Sequence, residues 1–306
     1  MMEVLIENFR GIERVQIVMA PIALLFGKSH QGKSSICQCV GAALTGRAGP
    51  FIRAARNADE FAVLPTKTAL NGRGRDGVGS GSVTIKAEAG ATTLGLPNCE
   101  VTSTGNAPKS SVYAAGMVKV MALKPMDRFE LLMNLLSVML VGDEIGAESS
   151  GTSTIMANAA NLEILAPDGS RHSMPANRLQ LLNNAVLQSV TGAAGYQPVS
   201  IDENLQLRFG GRHYDLLSEP EKFRVDVVLQ IAIALVDKSS CVIIDGADIL
   251  DTDGRNGLFA ALASAGTSLL SLVGLTAAGE MGIPNLAKHG MGVTYRVVDG
   301  ACTTMD

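Results

Sequence analysis

Tryptophan is absent, which by itself excludes little, but other absences are informative. The formal net charge of −4 gives no overall attraction to nucleic acid, so any contact with DNA would need a local basic patch. No two cysteines have the C-x-x-C spacing, and an odd number of cysteines argues against a complete disulfide framework. Reduced thiols in a cytoplasmic location are therefore expected. The five cysteines are Cys37, Cys39, Cys99, Cys241 and Cys302.

The chain also lacks a hydrophobic run suited to a membrane. The longest low-charge stretch, 262–279, is interrupted by Ser, Thr and Gly, which indicates a helix end followed by a buried strand. The N-terminus carries Glu3 instead of a basic region, so no signal peptide is predicted. With 47% hydrophobic and 18% charged residues, the 306-residue chain can form one large α/β domain or two smaller ones.

Residues 27–34 read Gly-Lys-Ser-His-Gln-Gly-Lys-Ser and match the phosphate-loop pattern G-x-x-x-x-G-K-[ST]. A strand pattern at 22–26 precedes them and a helical pattern over 33–45 follows, as this motif requires. Backbone N–H groups of such a loop bind phosphate oxygens, the lysine supplies positive charge, and the final hydroxyl binds Mg²⁺. The predicted nucleotide-binding residues are Gly27, Lys28, Ser29, His30, Gln31, Gly32, Lys33, Ser34 and Ser35. The alternative interpretation of this segment is an ordinary glycine-rich turn between a strand and a helix. For His30 the alternative to phosphate contact is a side chain that faces the solvent.

A second motif is the apolar run 241–244 followed by Asp245, which predicts a buried strand ending in an acid. In phosphate-loop proteins such an aspartate holds Mg²⁺ directly or through water. Ser34 and Asp245 are therefore the predicted metal ligands, against the alternative of a solvated acid after a strand.

A third motif, 217–224, reads Leu-Ser-Glu-Pro-Glu-Lys-Phe-Arg. Ser218 and Glu221 have capping-box spacing, and Pro220 suits a first helical turn, so a helix over 219–237 is predicted. A well-capped buried helix explains the pattern by itself. The functional alternative is that this N-terminus presents a hydroxyl and N–H groups to a phosphate.

The rest of the chain reads as alternating strands and helices. Arg and Lys are concentrated over 47–75, where a DNA-facing loop and an ordinary solvated loop are both open, and 71–82 reads as a flexible loop. Residues 142–160 resemble a linker, and 162–174 resemble a hairpin. Further strands are predicted near 2–6, 14–19, 83–88, 92–96, 112–114, 199–201, 205–209, 268–275 and 293–302, and further helices over 126–141, 176–190 and 254–264.

The order of these motifs resembles the ABC-type ATPase heads of the RecF/SMC family, and most closely its compact phage or bacterial AAA-family members. The resemblance covers about 1–45 and 200–300 and depends on segments 6–11, 27–35, 217–224 and 242–251. It implies that two heads dimerise around two ATP molecules, with Lys33 and Ser34 of one head binding phosphate and Mg²⁺. Ser218 of the other head would reach the γ-phosphate, Arg10 would lie near the nucleotide, and Asp251 would lie at the dimer interface.

Three family positions differ in this chain. Gly246 stands where a glutamate general base is usual, Ala115 where a glutamine is usual, and Thr276 where a histidine is usual. Asp248 is the nearest carboxylate and could act as the base only if its turn folds back toward the γ-phosphate. The long coiled coil of SMC proteins is also missing between the two halves.

The sequence thus predicts an α/β P-loop NTPase of the ABC-type ATPase head class, with a mainly parallel central sheet and an antiparallel β-subdomain. The predicted parts are an N-terminal lobe (1–142), a small insertion or lid (143–195) and a C-terminal lobe (196–306). The expected function is ATP binding and slow hydrolysis coupled to dimerisation in DNA repair, recombination or phage replication, with Lys33, Ser218 and Asp248 as catalytic residues. A non-hydrolysing ATP-dependent clamp and a P-loop small-molecule kinase are the alternatives. Family analogy alone adds DNA and a nuclease or another repair or replication protein as partners.

Overall fold

The fold is described from a computed structural model. It describes residues 1–46, 80–96, 100–124, 127–128, 130–132, 134–135, 176–202, 204–266 and 269–305. The basic stretch 47–75, the linker 142–160 and the hairpin 162–174 lie outside the described residues, as does most of the flexible loop 71–82. The same holds for Cys99, whereas the other four cysteines are free thiols.

An antiparallel sheet of five strands forms from the N-terminal part of the chain, in the order β2-β1-β4-β5-β6. In β1, side chains alternate between the core and the surface, and Met2, Val4 and Ile6 are buried, as the period-two pattern predicts. The strands are β1 (Met2–Phe9), β2 (Ile12–Met19), β4 (Gly81–Ala87), β5 (Gly90–Leu96) and β6 (Glu100–Gly105).

A second sheet of five strands has the order β10-β11-β3-β12-β13. It is mixed, since the first four strands are parallel and β13 pairs antiparallel with β12. Its strands are β3 (Ile22–Gly27), β10 (Cys241–Asp245), β11 (Leu270–Thr276), β12 (Gly292–Val298) and β13 (Ala301–Thr304). Because β3 comes from the N-terminal part and lies between two C-terminal strands, both ends of the chain build this sheet.

Strand β3 is buried on both faces, which explains its unbroken apolar sequence. Ile22, Leu24 and Phe26 contribute to one hydrophobic core, and Ala23 and Leu25 contribute to another. The second core contains α1 (Lys33–Thr45), which contacts strands of both sheets. The first core contains α2 (Ala176–Leu181, then a π-helical turn Leu182–Leu187 and Gln188–Ala194), α3 (Glu219–Val236) and α4 (Thr252–Ser264).

A third, small sheet joins β7 (Val199–Ile201), β8 (Leu207–Phe209) and β9 (Arg212–His213) just before α3. Helical residues also occur at 127–128, 130–132 and 134–135, within the helix predicted for 126–141. None of the helices among the described residues is both long and apolar enough to cross a membrane.

The prediction of a strand at 112–114 was wrong. The backbone forms turns there, because Ala115 N donates to Ser111 O and Gly116 N donates to Tyr113 O. Val112 O also accepts a hydrogen bond from Met117 N at 2.9 Å, so the carbonyls of Val112 and Tyr113 bond locally and not to a neighbouring strand. The segment instead covers the edge of β10, where Ile243 N donates to Ala114 O at 3.0 Å.

Candidate functional site

The loop between β3 and α1 has the backbone that its glycines predict. Gly27 and Gly32 have φ values of 157° and 105°, a region that favours glycine. A Cβ atom on Gly27 would lie 2.3 Å from the carbonyl oxygen of Val297, so this position also has no room for a side chain. The loop therefore needs glycine at both ends of its turn.

Lys33 is buried and its ammonium group lies inside the loop. Its Nζ atom donates to Gly27 O at 2.9 Å and to Lys28 O at 2.6 Å. Burial lowers the pKa of Lys33, while the negative charges of Asp245 and Asp248 act in the opposite direction. These two carboxylates therefore lie within electrostatic reach of the lysine.

An open cleft of about 800 Å³ lies over this loop. It brings together residues from the phosphate-loop pattern and from the ends of β10 and β11, which are far apart in sequence. Its lining residues are Gly11, Ile12, Ser29, His30, Gln31, Gly32, Lys33, Ser34, Ser35, Gln38, Asp245, Asp248, Thr276, Asp299 and Gly300. Of the residues predicted for the site, Gly27, Lys28, Arg10 and Ser218 do not line the cleft itself.

Asp245 owes its position to the neighbouring strand. Asp245 pairs with Gly274 in the parallel ladder of β10 and β11. A Cβ atom on Gly274 would lie 2.5 Å from Asp245 Oδ1, so the glycine leaves space for the carboxylate.

Gly246 begins the turn that brings the carboxylate of Asp248 to the cleft, in a chain that lacks the glutamate expected at position 246. It has φ 84° and ψ 31°, a left-handed conformation that disfavours a glutamate at this position. The chain then forms a 3₁₀ turn over Ala247–Ile249, and Asp248 lines the cleft. Asp248 Oδ1 accepts a hydrogen bond from Thr276 N at 3.2 Å, so the turn that begins at Gly246 is docked on the strand end that carries Thr276.

Arg10 lies beside the first turn of α1. Its Nη1 atom donates to Ser35 Oγ at 3.3 Å and to Gln38 Oε1 at 2.9 Å, and its guanidinium group lies over the ring of Phe9. This position is adjacent to the cleft, because Ser35 and Gln38 both line it.

Ser218 lies at the N-terminus of α3. Its backbone N–H and its hydroxyl both donate to Glu221 Oε2 at 2.9 Å. Arg212 on β9 forms an ion pair with the same carboxylate. These bonds hold the pKa of Glu221 down at about 2, the contact with Arg212 being the largest contribution.

Asp251 is the N-cap of α4, where its carboxylate accepts a hydrogen bond from Gly254 N at 2.8 Å. The same oxygen accepts a hydrogen bond from Arg224 on α3 at 2.8 Å. Arg224 also lies over the ring of Tyr196. The carboxylate of Asp251 thus joins the starts of two helices within the chain.

The sequence has no glutamine between Gln38 and Gln180, but a glutamine side chain from another element occupies the region around Ala115. Gln230 Nε2 on α3 donates to Ala114 O at 2.8 Å and to Ile243 O at 2.6 Å. It therefore connects α3, the turn that contains Ala115, and the strand that ends in Asp245. The helical pattern of α3 gave no signal for this role.

Sequence reasoning missed the turn between β12 and β13 as part of the site. Asp299 N donates to Gln31 Oε1 at 2.7 Å, and Gly300 N donates to Gln31 O at 3.0 Å. The Asp-Gly pair between two apolar strands signalled a hairpin, but only the fold places that hairpin against the phosphate loop.

The residues present suit a magnesium ion. Ser34 and Asp245 offer hydroxyl and carboxylate oxygens, which are the ligands that Mg²⁺ prefers, usually alongside phosphate oxygens and water. Among the described residues there is no cluster of three or more His, Cys, Asp or Glu side chains that would hold a metal without such additional ligands.

Solved structures with a similar fold include SMC head domains and RecF. The chain aligns over its full length with 96% of the Smc head domain of Pyrococcus furiosus, which carries an extended coiled coil and is bound to the C-terminal domain of ScpA (TM-score 0.55, 11% identity). It aligns over 99% of its length with 96% of an Smc head bound to the C-winged helix domain of ScpA (TM-score 0.53, 10% identity). It also aligns over its full length with 98% of the recombination mediator protein RecF with ATP (TM-score 0.53, 12% identity).

The predicted resemblance is therefore confirmed at the level of the fold: this chain has the α/β fold of SMC and RecF ATPase heads. No protein-family model matches the sequence, and no curated protein matches it either.

Proposed function

We propose that this protein is an ABC-type P-loop ATPase head that binds ATP with Mg²⁺, hydrolyses it slowly and dimerises on ATP. The observation that carries the proposal is the cleft in which Lys33 and Ser34 lie together with Asp245 and Asp248. The loop supplies N–H groups and a lysine for the phosphates, and Ser34 and Asp245 would hold the magnesium ion. When bound, that ion neutralises charge on the phosphates.

Slow hydrolysis follows from the groups that position water. We propose Asp248 as the general base, supported by its place in the lining of the cleft and its hydrogen bond from Thr276 N. Gly246, Ala115 and Thr276 supply no carboxylate, amide or imidazole side chain. One such group is typically worth ~10²–10⁴ in rate, so losing them reduces turnover far more than ATP binding.

A single-turnover assay tests this proposal. ATP binding by calorimetry and phosphate release should both be abolished by Lys33→Ala. Asp248→Asn should keep ATP affinity within a few fold and lower phosphate release by about 10²-fold or more. Asp253→Asn removes a carboxylate from the first turn of α4, outside the lining of the cleft, and is the matched control. ATP binding that survives Lys33→Ala would contradict the proposal.

Dimerisation is proposed from the position of Ser218 at the exposed start of α3. A second head could present this hydroxyl to the γ-phosphate bound by the first. ATP-dependent dimers should form in sedimentation velocity and should be lost in Ser218→Arg. A monomeric ATP complex that transfers phosphate to a small molecule would instead support the kinase alternative.

The second candidate is a non-hydrolysing ATP-dependent clamp of the same fold. It is favoured by the left-handed backbone of Gly246, which removes the usual base from its position. Tight ATP binding and dimerisation without any phosphate release would support the non-hydrolysing clamp over the ATPase.

The proposed cellular role and partners are based on the solved structures with a similar fold. Because the similar solved structures include a recombination mediator and SMC heads bound to ScpA, we propose a cytoplasmic role in DNA repair, recombination or phage replication, with DNA and a further protein, such as a nuclease, as partners. We also propose that 1–142 and 196–306 form the two lobes of one head, with 143–195 as a small insertion.

A further inference from the structure

The cleft has two sides, and the proposed function uses only one of them. Asp245 lies at the end of β10, which is two strands away from β3 in one direction. Asp299 follows β12, which is adjacent to β3 in the other direction. With neighbouring strands ~4.8 Å apart, three strand spacings separate β10 from β12, or roughly 14 Å. In the proposed function, magnesium and the terminal phosphates would lie on the β10 side, near Lys33, Asp245 and Asp248.

Three turns meet on the other side and form a close-packed wall. A Cβ atom on Gly300 would lie 2.4 Å from Gly11 O in the β1–β2 turn, and the Cα atom of Gly300 lies 3.4 Å from the Cβ position of Gly32. The backbone N–H groups of Asp299 and Gly300 both donate to Gln31. The turn is therefore fixed against the phosphate loop through its backbone.

The carboxylate of Asp299 takes no part in that attachment. It has no hydrogen-bond or ion-pair partner within the described part of the chain, yet Asp299 lines the cleft. A carboxylate accepts hydrogen bonds and repels phosphate, so a nucleotide would direct hydrogen-bond donors toward it and keep its phosphates on the lysine side. The donors of a nucleotide are the ribose hydroxyls and the exocyclic amine of the base.

We propose that Asp299 recognises the nucleoside part of the bound nucleotide by accepting hydrogen bonds from these donors. This inference rests on the proposed ATP site and adds a residue that determines nucleotide specificity. It divides the cleft between a phosphate side, served by the loop and Asp245, and a nucleoside side, served by the β12–β13 turn.

The test compares Asp299→Gly with the wild-type chain by calorimetry in the presence of Mg²⁺. Glycine suits the φ of 47° at this position and keeps the backbone N–H that donates to Gln31, so the phosphate loop stays supported. Asp299→Gly should bind ATP roughly 10- to 100-fold more weakly, the range for a hydrogen bond to a charged group. Its affinity for inorganic triphosphate, which has no nucleoside, should not fall, because the change removes a negative charge and keeps the loop supported.

Nucleotide analogues that lack one donor each identify which group of the nucleoside Asp299 contacts. If Asp299 contacts ribose, wild-type protein should discriminate against 2′-deoxyATP or 3′-deoxyATP, and Asp299→Gly should lose that discrimination. If Asp299 contacts the base, the same pattern should appear with purine riboside triphosphate, which lacks the amine. Asp299→Asn keeps a neutral acceptor and tolerates the left-handed backbone, so its ATP affinity should be intermediate.

Two controls separate the possible failures. Glu100→Gln removes one negative charge from the exposed strand β6 and should leave all affinities unchanged. If Lys33→Ala abolishes ATP binding but Asp299→Gly keeps the wild-type ratio of ATP to triphosphate affinity, the role of Asp299 is refuted while the ATP site stands. An equal loss of ATP and triphosphate affinity would assign Asp299 to loop support and would also refute the proposal. If Lys33→Ala leaves ATP affinity unchanged, the ATP site itself is refuted.

Discussion

Gly274→Ala should disable the proposed magnesium site with little effect on folding. A Cβ atom at this position would lie 2.5 Å from Asp245 Oδ1, whereas ordinary contacts are 3.4–4 Å, so the carboxylate must move by about 1 Å. The atom that moves is the end of a side chain, and the backbone of Gly274 lies in a regular strand without positive φ. Alanine is therefore compatible with the backbone here.

The expected change in stability is small, whereas the expected change in reaction rate is large. Replacing a strand glycine by alanine typically stabilises by about 0.5–1 kcal/mol, and forcing Asp245 away from its preferred rotamer costs about 0.5–1.5 kcal/mol. The free energy of unfolding should therefore change by no more than about 1 kcal/mol. A misplacement of about 1 Å at a group that holds the reacting atoms, as a metal ligand does, costs on the order of 10²-fold in rate.

The assay is phosphate release as a function of Mg²⁺ concentration, with urea unfolding measured on the same samples. Gly192→Ala is the matched control, because a Cβ atom there would meet nothing within 4 Å. Gly274→Ala should need more Mg²⁺ for half-maximal activity and should release phosphate about 10²-fold more slowly, as Asp245→Asn should. A Gly274→Ala protein with the wild-type Mg²⁺ dependence would refute the assignment of Asp245 to the metal.

Three further changes have definite expected results. Gly246→Glu, which introduces the glutamate usual in the family that the sequence resembles, should lower the free energy of unfolding by about 1–2 kcal/mol because of the left-handed backbone at this position. Phosphate release should not increase, and faster release would contradict this. Gln230→Leu removes hydrogen bonds to Ala114 O and Ile243 O and should cost about 1–3 kcal/mol in urea unfolding; an unchanged unfolding midpoint would show that the amide is dispensable. Because folding lowers the pKa of Glu221 to about 2, its stabilisation is complete above pH 4.5 and is lost as the pH falls toward 2. The difference in thermal stability between wild type and Glu221→Gln should therefore be present at pH 7 and should shrink below pH 4, whereas a pH-independent difference would refute the linkage.

The fold was largely predictable because its strands and helices carry strong local patterns. The strand at 22–26 was predicted from continuous apolar residues, and it is buried on both faces. The helix beginning at Lys33 follows from the loop motif, and the bounds of α1 match the prediction. The segment 112–114 was misread because Val112, Tyr113 and Ala114 resemble a buried strand, whereas their backbone bonds are local turns. A tertiary contact, the edge of β10, makes that conformation favourable.

The lining of the candidate site was predictable where one short segment carries the relevant residues and was not where distant segments meet. The phosphate-loop pattern and Asp245 contain their own signals. Gln230 looks like any polar residue on an amphipathic helix, and Asp299 looks like any hairpin aspartate. Their roles arise only from the order of the strands, which brings the ends of β10, β11 and β12 to the edge of the sheet where β3 ends.

The differing residues after β10 and β11 are physically coupled and do not represent independent losses. Gly246 N donates to Gly274 O at 3.1 Å, and Asp248 Oδ1 accepts from Thr276 N at 3.2 Å. The turn after β10 is thus attached to the end of β11 at two points, and this attachment places Asp248 in the cleft. A glutamate at 246 would have to adopt the left-handed conformation to keep the first bond, and it would place a second carboxylate near Asp248. The backbone of this turn therefore brings the carboxylate of Asp248 to the cleft, and the proposed hydrolysis should depend on it.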